Sequence, residues 1–200
     1  MIIAILDYGM GNLYSIRNAF LKVGAAAEVV TDARLLRKAD GIIVPGVGAF
    51  DSAMTKIAPL KDDLISVVES GTPLMGICLG MQVLFDKSEE GNAQGLGVIS
   101  GNVVRLPKTV LVPQIGWNEL EIKKNTPLFD GISDGDFFYF VHSYHCVPKD
   151  APVVAATVEY GTDVTAAIVE DNVCGLQFHP EKSGPKGLLI LENFIGSIKC

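Results

Sequence analysis

The sequence predicts a three-layer α/β sandwich with a central mixed, largely parallel sheet that gains antiparallel strands in its C-terminal half. The first half of the chain alternates short apolar runs with stretches of helical spacing, the pattern of βαβ units. Three of those runs, 2–6, 41–44 and 73–77, are almost continuously apolar, as strands covered on both faces are. From residue 95 onward, β-prone runs follow one another between turn residues, with no helical stretch to carry a crossover between them.

Taken in order, residues 2–6 form a first strand ending in Asp7-Tyr8-Gly9-Met10-Gly11-Asn12. That glycine-rich turn opens a helix over 13–23, with Gly24 as its C-cap. Gly9-x-Gly11 invites a dinucleotide-binding reading, but Tyr14 stands where the third glycine of that motif belongs. The turn therefore reads as lining a site or a partner surface. Residues 28–31 are a second strand, 33–39 a brief helix and 41–44 a third strand. In the following Pro45-Gly46-Val47-Gly48-Ala49-Phe50 the glycines permit close backbone approach to a ligand, although an ordinary strand-to-helix loop has the same composition. A helix over 60–70 stops at Gly71, and the strand over 73–77 leads through Cys78 into a helix from 79 to about 87. The later β-prone runs are 97–106, 109–115, 118–123, 136–145, 153–158, 164–169 and 173–179, before a closing helix over 187–198. No repeat, low-complexity segment or linker interrupts the series, so residues 1–200 are expected to form a single domain. In such a fold the functional loops lie at the carboxyl ends of the parallel strands. Residues 7–12, 45–48 and Cys78 all fall there.

Composition excludes several functions. A hydrophobic fraction of 48% and a charged fraction of 20% are those of an ordinary globular protein. The net charge of −7 argues against a duty on nucleic acid or anionic membrane. No apolar run reaches the ~18 residues a membrane span needs. The first residues have no basic n-region or cleavage site and read as a strand rather than a signal peptide. Cysteines at 78, 146, 174 and 200 form no C-x-x-C pair and no metal-like cluster, which suits reduced thiols in a cytoplasm and implies no metal. Cys200 reads as an exposed, incidental thiol.

The chemistry concentrates at Gly76-Ile77-Cys78-Leu79-Gly80, the cysteine counterpart of the G-x-S-x-G nucleophile elbow. Glycines on either side let a strained strand-to-helix turn close, so that the corner side chain stands clear of the backbone. The N–H of Leu79 then points toward a developing oxyanion, and the start of the helix favours a thiolate. A lone cysteine in an apolar run is also a common small core residue, so the elbow needs a base to carry weight. Of the three histidines, His179 ends a buried run, 173–178, and is followed by Pro180 and Glu181. Pro180 restricts the backbone on both sides and holds His179 near a carboxylate able to take its imidazole N–H. His142 and His145 sit at another strand end and read as pocket-shaping residues.

In the elbow through Gln82 and in Gln177-Phe178-His179-Pro180-Glu181, the chain resembles the class I (triad) glutamine amidotransferases, which are flavodoxin-like. Among them it looks like the family of glutaminase subunits of imidazole glycerol phosphate synthase, from histidine biosynthesis. The narrower likeness rests on residues 7–13, Pro45-Gly46-Val47-Gly48-Ala49-Phe50, Gly116-Trp117-Asn118, residues 139–144 and Lys182-Ser183-Gly184. The resemblance implies Cys78 as the nucleophile forming a γ-glutamyl thioester, His179 as acid and base, and Glu181 as its orienter. It implies an oxyanion hole from the N–H groups of Leu79 and Val47, within the Gly46-Val47-Gly48 loop. Gly46, Gly48, Gln82, Glu90 and the backbone of Ser143 and Tyr144 fall at glutamine-binding positions. It implies no cofactor. The implied partner is the (β/α)₈-barrel cyclase subunit, in a heterodimer, with Asn12, Trp117 and Tyr139 at the interface and ammonia passing between the subunits. One departure is Gln114, where the family commonly carries a histidine. Two other readings stay open: the glutaminase subunit of another ammonia-channelling synthase, such as that of pyridoxal phosphate, and a non-catalytic flavodoxin-like binding module.

Overall fold

The computed structural model describes residues 1–198, so Cys200 lies outside the described residues. The first half of the chain forms β1 (Ile2–Leu6), α1 (Leu13–Lys22), β2 (Ala26–Val30), α2 (Ala33–Leu36), β3 (Gly41–Val44), α3 (Phe50–Ile57), α4 (Lys61–Glu69), β4 (Leu74–Ile77) and α5 (Leu79–Gln82). The second half adds β5 (Lys87–Ser88), β6 (Gly101–Arg105), β7 (Gln114–Glu119), β8 (Glu121–Ile122), β9 (Phe137–His142), β10 (Tyr144–Pro148), β11 (Val154–Glu159), β12 (Asp163–Glu170), β13 (Val173–Leu176) and α6 (Gly184–Ile198).

The main sheet has eight strands in the order β2-β1-β3-β4-β13-β12-β11-β8. From β2 to β13 neighbours run parallel; β12, β11 and β8 continue it antiparallel. A β10-β6-β5 sheet and a β7-β9 ribbon stand apart from it. Side chains alternate across β1: Ile3 and Ile5 belong to a core shared with α1 and α6, while Ala4 and Leu6 face α3 and α4. The sandwich thus has three layers, each helix burying an apolar stripe such as Ile16, Ala19 and Phe20 of α1. A fully buried side chain of this size contributes about 1.5–3 kcal/mol, so these stripes, rather than the propensity of such short helices, hold the layers together.

Several expectations are corrected. The helix expected over 79–87 is one turn, because the carbonyls of Val83, Leu84 and Phe85 accept from Leu96, Val98 and Gly97 instead of from residues further along a helix. Helix α3 was not expected. Its N-cap, Ala49, has no capping side chain, and the cap comes from afar: Glu90 Oε2 accepts from the Phe50 N–H at 2.8 Å. The run 109–115 is turn as far as Pro113, and 97–106 is a strand only over β6. Residues 136–145 belong to two strands that break at Ser143, and α6 starts at Gly184 rather than 187.

The decisive placement is that of β13. Although it follows a series of antiparallel strands, it inserts parallel to β4, with Gly175 opposite Gly76 and Leu176 opposite Ile77. The two carboxyl ends, with Cys78 on one and Gln177 to His179 on the other, therefore leave the sheet side by side.

Candidate active site

At the end of β4 the backbone reverses through Cys78, which holds φ 55° and ψ −111°. A non-glycine residue in that region costs about 1–3 kcal/mol and persists only where its surroundings dictate it. Here they do. The Cys78 N–H bonds to Leu176 O at 2.6 Å, continuing the sheet, while Cys78 O accepts from Met81 and Gln82 to start α5. The two flanking glycines make the turn sterically feasible. A Cβ on Gly80 would fall 1.7 Å from Val44 O, and one on Gly76 would fall 2.6 Å from Gly80 O. Leu79 opens α5, so no carbonyl one turn back takes its N–H. With α5 reduced to a single turn, its dipole is a smaller source of thiolate stabilisation than the sequence suggests.

His179 follows β13 and is nearly inaccessible, its N–H tied to Tyr139 O at 2.9 Å. Its Nδ1 lies 2.9 Å from Glu181 Oε1, and both side chains are buried. Ser183 Oγ fixes the turn, donating to His179 O at 2.6 Å and accepting from the Tyr139 N–H at 3.0 Å. Nε2 has no partner of hydrogen-bond geometry and is the atom left for Cys78. Burial opposes charging of this imidazole, but Cys78 and then Glu181 outweigh it and hold its pKa at about 9. His142 is the opposite case. Burial pushes it down to about 4, against the pull of the Tyr144 carbonyl, and neighbouring His145 and His179 push the same way. Burial also lowers the pKa of His145. Of the three histidines, only His179 is poised to carry a proton.

A cavity of about 240 Å³ opens beside the sulfur, lined by Val47, Gly48, Cys78, Leu79, Gln82, Glu90, Pro113, Val141, His142, Ser143 and Tyr144. It brings together both expected oxyanion residues and five of the six expected glutamine-binding residues. Gly46 is the exception, packed behind the wall between the Tyr8 hydroxyl and Leu79. Glu90 is the one formally charged side chain in the lining. Asp51 holds its loop in place, accepting from the N–H groups of Asn92 and Ala93 at 3.0 Å each. The Gln82 amide donates to Tyr144 O at 2.9 Å and to Gln177 Oε1 at 3.1 Å. A larger hollow of about 430 Å³ lies at the opposite ends of the strands, lined by Gly71, Pro73, Asn172 and Asn193 among others, and holds none of these groups.

Three residues outside the predicted set also contribute to the site. The buried Tyr8 hydroxyl donates to Pro45 O at 2.5 Å, at the base of the Gly46-Val47-Gly48 loop. Burial, and then the nearby Cys78, push it well above the usual tyrosine range, so it remains a donor. Asp51 braces the Glu90 loop, and Gln177 reaches the sulfur. The Asp-Tyr-Gly turn and the Gln of Gln-Phe-His-Pro-Glu were visible as motif members, but nothing local announced their contacts. The expected interface residues lie outside the lining of this cavity. Trp117 and Tyr139 are cross-strand neighbours on the β7-β9 ribbon, with ring centroids 6.0 Å apart. Asn12 caps α1 through its side chain, accepting from the Ser15 N–H. Gln114 is buried opposite His142, so the departure from the family pattern sits at the inner side of the ribbon. Among the described residues no cluster suited to a metal ion is found, and no helix is long and apolar enough to cross a membrane.

A strained elbow cysteine, a buried His–Glu pair and a small cavity with one acid define a thiol amidotransferase site. The family model of class-I glutamine amidotransferases matches residues 4–197, and the chain belongs to that family. Within it, the chain is similar to imidazole glycerol phosphate synthase subunit HisH of Methanothermobacter thermautotrophicus, with 49% identity over 99% of this chain and 100% of that protein. HisH of Methanosarcina acetivorans is 51% identical over 96% of this chain and 97% of its own length. In fold, the chain matches a crystal structure of a glutamine amidotransferase with a TM-score of 0.78 at 21% identity, covering 99% of both chains.

Proposed function

We propose that this chain is the glutaminase subunit of imidazole glycerol phosphate synthase, a single cytoplasmic amidotransferase domain that hydrolyses glutamine and passes ammonia to a cyclase subunit. The observation that carries the reading is the meeting of Cys78, Gln82 and Glu90 at one small cavity, with the buried His179–Glu181 pair on the strand next to the one that carries Cys78. Glu90 suits the α-ammonium of an amino acid, as does Oε1 of Gln82, whose two N–H groups are taken, and the backbone of Ser143 and Tyr144 lines the cavity beside them.

The proposed reaction uses these groups in turn. The Cys78 sulfur adds to the side-chain carbonyl carbon of glutamine, and the resulting oxyanion accepts from the N–H groups of Leu79 and Val47. Each such donor contributes about 3 kcal/mol to the transition state. His179, protonated at Nε2, gives that proton to the amide nitrogen. The C–N bond breaks, ammonia leaves and a γ-glutamyl thioester remains. Water then adds to the thioester carbon and yields a proton to His179, and the C–S bond breaks to release glutamate. Glu181 holds the imidazole by Nδ1 and stabilises its cationic form throughout.

The β7-β9 ribbon supports the partner. Ile115 is 64% exposed, Trp117 54% and Phe137 50%, an apolar face suited to burial against another protein. Lys182 stands 5.8 Å over the Tyr139 ring, just three residues past His179, which places this face close to the triad. The test is glutamate release by the purified chain, alone and with the cyclase subunit and its nucleotide ligand. Strong stimulation, abolished in Cys78→Ser, is expected. Equal activity with and without the cyclase would remove the partner, and unchanged activity in Cys78→Ser would remove the triad.

A further inference from the structure

Parallel pairing of β4 with β13 sets Leu176 opposite Ile77, so the next residues, Cys78 and Gln177, leave the sheet as neighbours. Gln177 is 0% exposed, a full carboxamide enclosed in an apolar core. Burying such a group is unfavourable unless its donors and acceptor are all used. Its acceptor is used: Oε1 takes an N–H from Gln82 at 3.1 Å. The orientation of both amides is fixed by chemistry. The nitrogen of Gln82 also donates to the carbonyl of Tyr144, which can only accept, so the Gln177 atom facing it must be oxygen. The Gln177 nitrogen is thereby turned the other way, to the sulfur of Cys78 at 3.6 Å.

We infer that Gln177 acts on the nucleophile itself, as a fixed neutral N–H donor to the Cys78 sulfur that complements His179 and links the sulfur to Gln82 in the glutamine cavity. The inference rests on the triad reading above. Its chemical sense is that the sulfur carries negative charge twice in the cycle, before attack and again when the thioester breaks. A donor that cannot lose its proton supports that charge without entering the proton transfers of His179. It also ties the position of the sulfur to the residue expected to grip the substrate, through one rigid pair of amides.

Two variants separate this role from simple core filling. Gln177→Glu keeps the oxygen that accepts from Gln82 but puts a second oxygen where the donor was, facing the sulfur. Gln177→Met keeps the volume and removes both contacts. The readout is the rate of Cys78 alkylation by iodoacetamide at neutral pH in the full-length protein without substrate, beside kcat and KM for glutamine with the cyclase subunit. Hydrogen bonds to ionised groups are worth enough for alkylation to slow about tenfold in Gln177→Met, and by more in Gln177→Glu. KM for glutamine should rise in the Met variant, where Gln82 loses its acceptor, and much less in the Glu variant. Melting temperatures identify a variant that has lost its fold, in which case the other decides. Alkylation at the wild-type rate in a folded variant overturns the inference. Loss of the triad reading itself has a different signature: glutaminase activity surviving in Cys78→Ser, whatever Gln177 does.

Discussion

Replacing Glu181 with Gln tests the electrostatic core of the site. The substitution keeps the size and an oxygen able to accept from His179 Nδ1, and removes only the charge. In the native protein the pKa of His179 stands at about 9 instead of 6.5, a net preference for the cation of roughly 3 kcal/mol. Burial acts against that preference, and Cys78 and then Glu181 outweigh it, so removing the Glu181 charge lowers the pKa of His179. Two consequences follow. Glutamate release at neutral pH should fall by about 10- to 100-fold, since less imidazolium is available to protonate the leaving nitrogen and it is less stable once formed. Stability should change with a defined sign. A histidine whose folded pKa is raised stabilises the fold fully below its unfolded value of 6.5 and loses that contribution as pH rises through about 9. Denaturant unfolding of the two proteins should therefore differ most near pH 6, and the ionic part of the difference should vanish by pH 10. A stability difference that stays constant from pH 6 to 10, or activity within twofold of wild type, would refute the reasoning.

Two further perturbations address the walls of the cavity. Tyr8→Phe leaves the buried Pro45 carbonyl without its donor, a loss of about 1–3 kcal/mol. Because that carbonyl anchors the loop carrying Val47, kcat should fall with little change in the KM for glutamine. A rise confined to KM would place Tyr8 with the substrate instead. Asp51→Ala frees the chain over 90–93 and should raise KM several-fold while leaving iodoacetamide alkylation of Cys78 intact. The N–H groups of Asn92 and Ala93 hold the Asp51 carboxyl below its ordinary 3.8, so this support is present above that pH and lost as pH falls through the lower folded value. Unchanged KM in Asp51→Ala would show that Glu90 is held by other means.

What the sequence revealed was whatever a local rule could encode. Continuous apolar runs marked β1, β3 and β4, and glycine at both flanks of Cys78 marked the elbow, because a Cβ there would meet the backbone of residues close in sequence or strand order. The His-Pro-Glu segment was legible for the same reason: proline and a two-residue spacing are local facts. The failures are equally physical. Helix α3 is capped by Glu90 from forty residues away, and α5 stops because loop residues 95–99 take the carbonyls that a longer helix would use. Neither partner is written into the helix itself. Gln114 stood out only as a departure from a family histidine, and its burial opposite His142 comes from β-pairing that no local pattern encodes.

The same distinction explains why the site is assembled where it is. Cys78 and His179 are a hundred residues apart, and sequence order alone would place β13 at the end of an antiparallel series, beside β12 only. Its second neighbour, β4, is what brings His179 toward Cys78, and close packing accompanies that pairing. A Cβ on Gly175 would fall 2.7 Å from the side chain of Met81 and 2.9 Å from Ile168. Glycine at this point lets the elbow helix sit directly over β13, with Met81 fully buried between them. Once that contact forms, the register of Leu176 on Ile77 leaves Gln177 beside the sulfur, and the chain bends through Gln177 and Phe178 to reach His179. On this argument both residues owe their position to one glycine and one register, which is why a one-residue slip of β13 would remove the donor and the base together.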